Sequence, residues 1–106
     1  MSLSRLEQWY VSQCNGTWEH AYGIRIDTLD NPGWTVEIDL RETSKENAEL
    51  KRMIISRGEN DWILFWIEKQ KFRIACGPLN LSEAAEVFVH WFESGQIPTV
   101  AIALRA

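Results

Sequence analysis

The sequence predicts an α+β domain: an N-terminal helix, an antiparallel meander sheet of about five strands, and a C-terminal helix packed on one face. Three observations lead there. Apolar residues recur at helical spacing near both ends of the chain, alternate with polar residues through the middle, and are interrupted there by short turn-forming segments. The 106 residues are 45% hydrophobic and 25% charged, enough for one core and too few for two without staples, so residues 1–106 are expected to form a single domain.

Leu3, Leu6, Trp9 or Tyr10, and Cys14 share one helical stripe, and Ser4 with Glu7 has the form of a capping box, which predicts a helix from about residue 4 to 13. Asn15-Gly16 should end it, because both residues tolerate a left-handed backbone. From Tyr22 the period falls to two. Tyr22, Ile24 and Ile26 alternate with Gly23, Arg25 and Asp27, and Trp34, Val36, Ile38 and Leu40 alternate with Thr35, Glu37 and Asp39. Asp30-Asn31-Pro32-Gly33 joins them with an Asx residue, a preset proline φ and a glycine, so a hairpin follows.

Residues 41–51 are polar and lack apolar periodicity, as a solvated loop or a loose helical turn would. Met53 to Ser56 reads as a short strand, Arg57-Gly58-Glu59-Asn60 as a turn, and Trp62 to Ile67 as a strand apolar on both faces, which implies a central sheet position. After a turn at Glu68 to Lys71, Phe72, Ile74 and Cys76 mark one more strand. Gly77-Pro78 breaks the sheet, and Asn80 is placed to cap a helix whose Leu81, Ala84, Ala85, Phe88, Trp91 and Phe92 form an apolar stripe ending at Gly95. The apolar tail, residues 96–106, is expected to add an edge strand or cover the sheet. With both helices on one face, Trp62, Leu64 and Trp66 on the other must meet the tail, a second copy or a partner.

No segment approaches the length of a membrane span and the N-terminus lacks a signal-peptide core, so a cytoplasmic protein without membrane contact is expected. Cys14 and Cys76 are too few and too far apart for a disulfide scaffold or a metal pair, and both are read as free thiols. Residues 1–50 hold four Lys and Arg against nine Asp and Glu, within a net charge of −4. That distribution argues against nucleic acid as a ligand and suits a cationic protein partner, though acidity alone also serves solubility.

The chemistry-bearing residues are sparse. Cys14 and His20 flank one loop as a nucleophile and base would, yet Cys14 lies on the apolar stripe and no orienting third group is evident. His20 beside Glu19, with Asp27, Glu37 and Asp39 on the outward side of the hairpin, is too poor in ligands for zinc and reads better as an acidic rim. The glycines are isolated, so no phosphate-cradling loop exists, and no cofactor or catalytic residue is assigned. Of the six tryptophans, Trp9, Trp34 and Trp91 fall on apolar stripes. Trp18 lies in a polar loop, where it could anchor a partner or cover the sheet edge.

Particular words of the sequence resemble the immunity protein 53 family. They are Trp9-Tyr10-Val11-Ser12-Gln13-Cys14-Asn15-Gly16-Thr17-Trp18-Glu19-His20, Tyr22-Gly23-Ile24, Thr28-Leu29-Asp30-Asn31-Pro32-Gly33-Trp34, Ile38-Asp39-Leu40, Glu59-Asn60-Asp61-Trp62 and Gly77-Pro78-Leu79-Asn80-Leu81, in family order and spacing. The resemblance covers roughly residues 3–92. It implies a non-enzymatic bacterial antidote that binds a cognate toxin of a polymorphic toxin system, many of which are nucleases. The residues expected to contact that partner are Trp18, Glu19, His20, Asp27, Asp30, Glu37, Asp39 and Asp61. The rival readings are a small-molecule or enzymatic domain walled by Trp18-Glu19-His20, and a structural homo-oligomer, a homodimer through the second sheet face or the tail being the simplest.

Overall fold

The computed structural model describes residues 3–97. Helix α1 (Ser4–Gln13) leads through a one-turn helix α2 (Trp18–Ala21) into strands β1 (Ile24–Leu29), β2 (Gly33–Asp39), β3 (Met53–Gly58), β4 (Asp61–Glu68) and β5 (Lys71–Cys76), and helix α3 (Leu81–Ser94) follows. Every neighbouring pair is antiparallel, in the order β1-β2-β5-β4-β3. The expected α+β class, with a helix on either side of a five-stranded antiparallel sheet in the sequence, is therefore what forms. The strand order is not that of a simple meander. The polar loop after β2 carries the chain past the ends of β5 and β4 to the far edge, three strand spacings or about 14 Å away. A meander of β3, β4 and β5 then returns to β2. β4 is an interior strand as expected, but the middle of the sheet is β5, whose Phe72, Ile74 and Cys76 are all buried.

Local signals shift at two ends. Leu3 rather than Ser4 takes the N-cap position of α1. The Asn15 side chain, expected only to close α1, also starts α2: its Oδ1 accepts the amides of Thr17 and Trp18 at 2.9 Å each. Arg57, expected in a turn, extends β3, and the turn contracts to Glu59-Asn60. At the end of α3, Gly95 adopts φ 78°, and its amide bonds the Trp91 carbonyl at 2.7 Å.

The core lies between one sheet face and the helices. Val36, Ile38, Ile63, Phe65, Phe72, Ile74 and Cys76 meet Val87, Phe88 and Trp91 of α3 and Leu6 and Trp9 of α1. Its centre is aromatic: the Phe72 ring lies 5.1 Å from Phe88 and 4.9 Å from Trp91, and Trp9 lies 4.8 Å from Phe88. Each such ring contributes about 1.5–3 kcal/mol by leaving water. Trp34 is only partly buried and ties its indole N–H to the Pro78 carbonyl at 3.0 Å. The tail expected to add a strand lies, from residue 98 onward, outside the described residues. Among those described, no helix is long and apolar enough to cross a membrane.

Candidate docking surface

Alternation along each strand sends every second side chain away from the helices. Among the described residues no helix packs on that outer face, and Trp62, Leu64 and Trp66 stand outside the core cluster. The register aligns two rows across it. One runs Ile54, Leu64, Ala75, Thr35 and Asp27, and the next Trp66, Arg73, Glu37 and Arg25. The β3–β4 half is therefore an indole and aliphatic strip, with Ile54 64% exposed, and the β5–β2–β1 half is an ionic ladder. Trp66 is braced on both sides: the Arg52 guanidinium lies 4.3 Å from its ring centroid, and its N–H donates to Glu68 at 3.2 Å.

The ladder brings together three of the residues expected from sequence, Asp27, Glu37 and Asp39, but two of them are committed. Glu37 accepts from Arg73 at 2.8 Å and Lys71 at 3.3 Å. Asp39 is buried and takes a bidentate bond from Arg41, 2.9 Å to Nε and 2.6 Å to Nη2, plus the Arg41 amide. Burial alone pushes the Asp39 carboxyl up, but Arg41 and the nearby Lys71 outweigh it and hold it below the usual carboxylate value. Asp27 and, at the hairpin turn, Asp30 are exposed, and their carboxylates have no hydrogen bond or ion pair among the described residues.

The other expected contact residues lie elsewhere. Trp18, read as an exposed anchor or lid, is core: it is 1% exposed, its N–H donates to the Arg41 carbonyl at 2.9 Å, and its ring meets Trp9 edge-on at 5.8 Å. The reason is α2, which turns a polar-looking loop so that its one large apolar side chain faces inward. Glu19 closes the same loop, accepting the Asn15 and Gly16 amides at 2.9 and 2.8 Å. Its own amide and those two hold its carboxyl below the ordinary range. His20 is exposed on α2. Asp61 belongs to a polar cluster behind the sheet with Arg57, Asn80 and Glu83.

The structure does not bring the Cys14 and His20 pair together. The Cys14 thiol donates to the Tyr10 carbonyl at 3.2 Å, and no contact joins it to His20 among the described residues. Burial pushes the Cys76 thiol up to about 11, which leaves it protonated in the core. Among the described residues no group of three or more His, Cys, Asp and Glu side chains is placed to hold a metal ion. One hollow of about 220 Å³ on the outer face is lined by Thr35, Trp66 and Ala75 among others.

A family model described as Immunity protein 53 matches residues 3–93. The chain belongs to the Immunity protein 53 family. Neither a curated protein nor a solved structure matches it. The family match spans α1, α2, the whole sheet and all but the last residue of α3, so the outer face of this Immunity protein 53 chain is part of the family's shared region. It is there that sequence reasoning missed most. Arg52, Lys71 and Arg73 were not among the expected contacts, although the alternation that exposed Trp62, Leu64 and Trp66 also placed Arg73 outward. Selection by charge alone favoured carboxylates and overlooked the cations that neutralise them.

Proposed function

We propose that this Immunity protein 53 chain protects its host by binding a cognate toxin, and that the outer sheet face is the docking surface. The observation that carries the reading is the strip of Trp62, Leu64, Trp66 and Ile54, left outside the core on the outer face of the sheet. Indoles in such positions are the usual anchors of protein interfaces, because they bury a large area with little rotamer entropy to lose. Glu37 and Glu68 balance Lys71 and Arg73 in the ladder beside the strip, so a partner need not supply matching charges to bury it.

The net charge of −4 adds a long-range pull on a cationic toxin, with Asp27 and Asp30 as free carboxylates on the hairpin. A nuclease, whose active site must hold a polyanion, is the toxin class this charge suits. Inhibition by occupation alone needs no catalytic group, in keeping with a cytoplasmic antidote that is not an enzyme.

The test uses the toxin domain encoded beside the chain. Trp62→Ala and Trp66→Ala should each weaken toxin binding by about 30-fold or more, the loss typical of an aromatic hot spot, and should fail to rescue growth, while their melting curves stay near the parent's. Full protection by both variants would remove the outer face from this role.

A further inference from the structure

We infer that the free edge of β1 pairs with the same edge of a second copy, making a homodimer with one continuous ten-stranded sheet. β1 is paired only with β2 among the described residues. The Asp39 amide donates to the Gly23 carbonyl at 3.1 Å, which makes 23 and 39 a hydrogen-bonded pair. Antiparallel pairs alternate, so Arg25, Asp27 and Leu29 turn their backbone groups toward β2, and Ile24, Ile26 and Thr28 turn theirs outward with no ladder partner.

The side chains select one register. Arg25 lies opposite Glu37, but the Glu37 carboxylate is taken by Lys71 and Arg73, which leaves Arg25 without an ion pair among the described residues. Asp27, two residues on and on the same face, is likewise unpaired. A two-fold axis through Ile26 sets Arg25 of each copy opposite Asp27 of the other. The same axis forms the hydrogen-bonded pairs 26 with 26 and 24 with 28, so the outward backbone groups of Ile24, Ile26 and Thr28 are all satisfied. Moving the axis to Arg25 or Asp27 puts like charges face to face, and moving it by half a residue sets outward backbone groups against inward ones.

The surroundings favour a strand here rather than on β3. β3, the other edge, carries a register irregularity between Ser56 and Gly58 and follows Lys51-Arg52, both common guards of an exposed edge. β1 has an unbroken register with β2 along its whole length. On its helix side runs a groove of about 710 Å³ lined by Leu6, Tyr10 and Ile24, beside which Ile26 remains 38% exposed. Pairing would set the two Ile26 side chains against each other there. The outer face with Trp62 and Trp66 stays open in such a dimer, so a toxin can still reach the indole strip, with Asp30 rather than the paired Asp27 left as the free carboxylate of the hairpin.

Sedimentation velocity of the full chain, from micromolar to submillimolar concentration, tests the proposal. The parent should show a reversible monomer–dimer equilibrium. Asp27→Arg should weaken it by about tenfold or more, since two cross-strand pairs change from attractive to repulsive. The exchange Arg25→Asp with Asp27→Arg should restore it, and a mixture of the Arg25→Asp and Asp27→Arg single variants should form heterodimers. Ile26→Pro removes an outward amide and no β1–β2 bond, so it should fold and stay monomeric. A parent that remains monomeric throughout overturns the inference, as does a dimer indifferent to both Asp27→Arg and Ile26→Pro. So does a monomeric parent whose toxin binding is lost in Ile26→Pro, which would assign the edge to the toxin.

Discussion

Removing Glu83 should destabilise this protein strongly, because it leaves a buried cation short of a partner. Arg57 is buried behind the sheet, its side chain 7% exposed against 6% for Glu83, and Nη2 and Nη1 reach the two Glu83 oxygens at 2.5 and 3.1 Å. Asp61 lies 2.8 Å from the same guanidinium, and Asn80 donates to Asp61 at 2.9 Å. The cluster fastens the β3–β4 turn to the first turn of α3. Glu83→Ala takes the closer of two described carboxylates from a buried cation and leaves it the part-exposed Asp61, and breaking a buried pair from one side costs about 3–5 kcal/mol. With Asp61 in place the lower figure applies, about 3 kcal/mol. For a domain of this size that is a fall in Tm of about 12–20 °C. In urea it is a fall in midpoint of about 2–3 M at unchanged m. The paired replacement Arg57→Met with Glu83→Leu removes both charges and should return to within about 1 kcal/mol of the parent. If Glu83→Ala stays within about 0.5 kcal/mol of the parent, the cluster is not holding these elements together and the reasoning fails.

Two further outcomes follow from the same geometry. Asp39 has its folded pKa below the ordinary 3.8, so the stability it contributes is complete above that value and is lost as pH falls through the lower, folded one. Comparing acid unfolding of the parent and Asp39→Asn should show their difference closing below pH 3.8, and a gap that persists into strong acid would mean that lost packing, not lost charge, is responsible. Trp18→Phe should cost about 1–2 kcal/mol through the orphaned Arg41 carbonyl and the smaller ring, and Trp18→Ala about 3–5 kcal/mol, with toxin binding by the folded fraction unchanged. A Trp18→Ala variant of parental stability that no longer binds toxin would place that indole at the interface after all.

Periodicity made the fold legible because it reports burial directly. The stripe from Leu81 to Phe92, the alternation from Tyr22 to Leu40 and the two-faced strand at Trp62 each found their element. The order of the strands was hidden, since the pairing of β2 with β5 depends on contacts 30 or more residues apart that no local pattern encodes. α2 was hidden for a different reason. One turn of helix has no period to read, and its two signals were spent on other meanings: Asn15 as a helix stop, Trp18 as a stray aromatic in polar company. The candidate site was half visible. That Asp27, Glu37 and Asp39 share a face follows from alternation alone, whereas their being paired depends on Arg41, Lys71 and Arg73, and Lys71 and Arg73 arrive from a strand more than 30 residues away.

On the proposed reading, charge and contact divide the work in a way that composition did not suggest. Screening limits bare charges to about 8 Å in physiological salt, so a net negative chain attracts a cationic partner without fixing how the partner sits. Fixing it requires groups that lose water on contact, and the face where the carboxylates cluster is one on which Glu37 and Asp39 have already been neutralised from within. What that face still offers is the area of Trp62, Leu64, Trp66 and Ile54. Substituting Asp27 or Asp30 should thus alter the rate of encounter and its dependence on salt, whereas substituting Trp62 or Trp66 should alter the lifetime of the complex. A salt-independent association rate together with dissociation governed by the carboxylates would reverse that division, and with it the choice of the indole strip as the anchor.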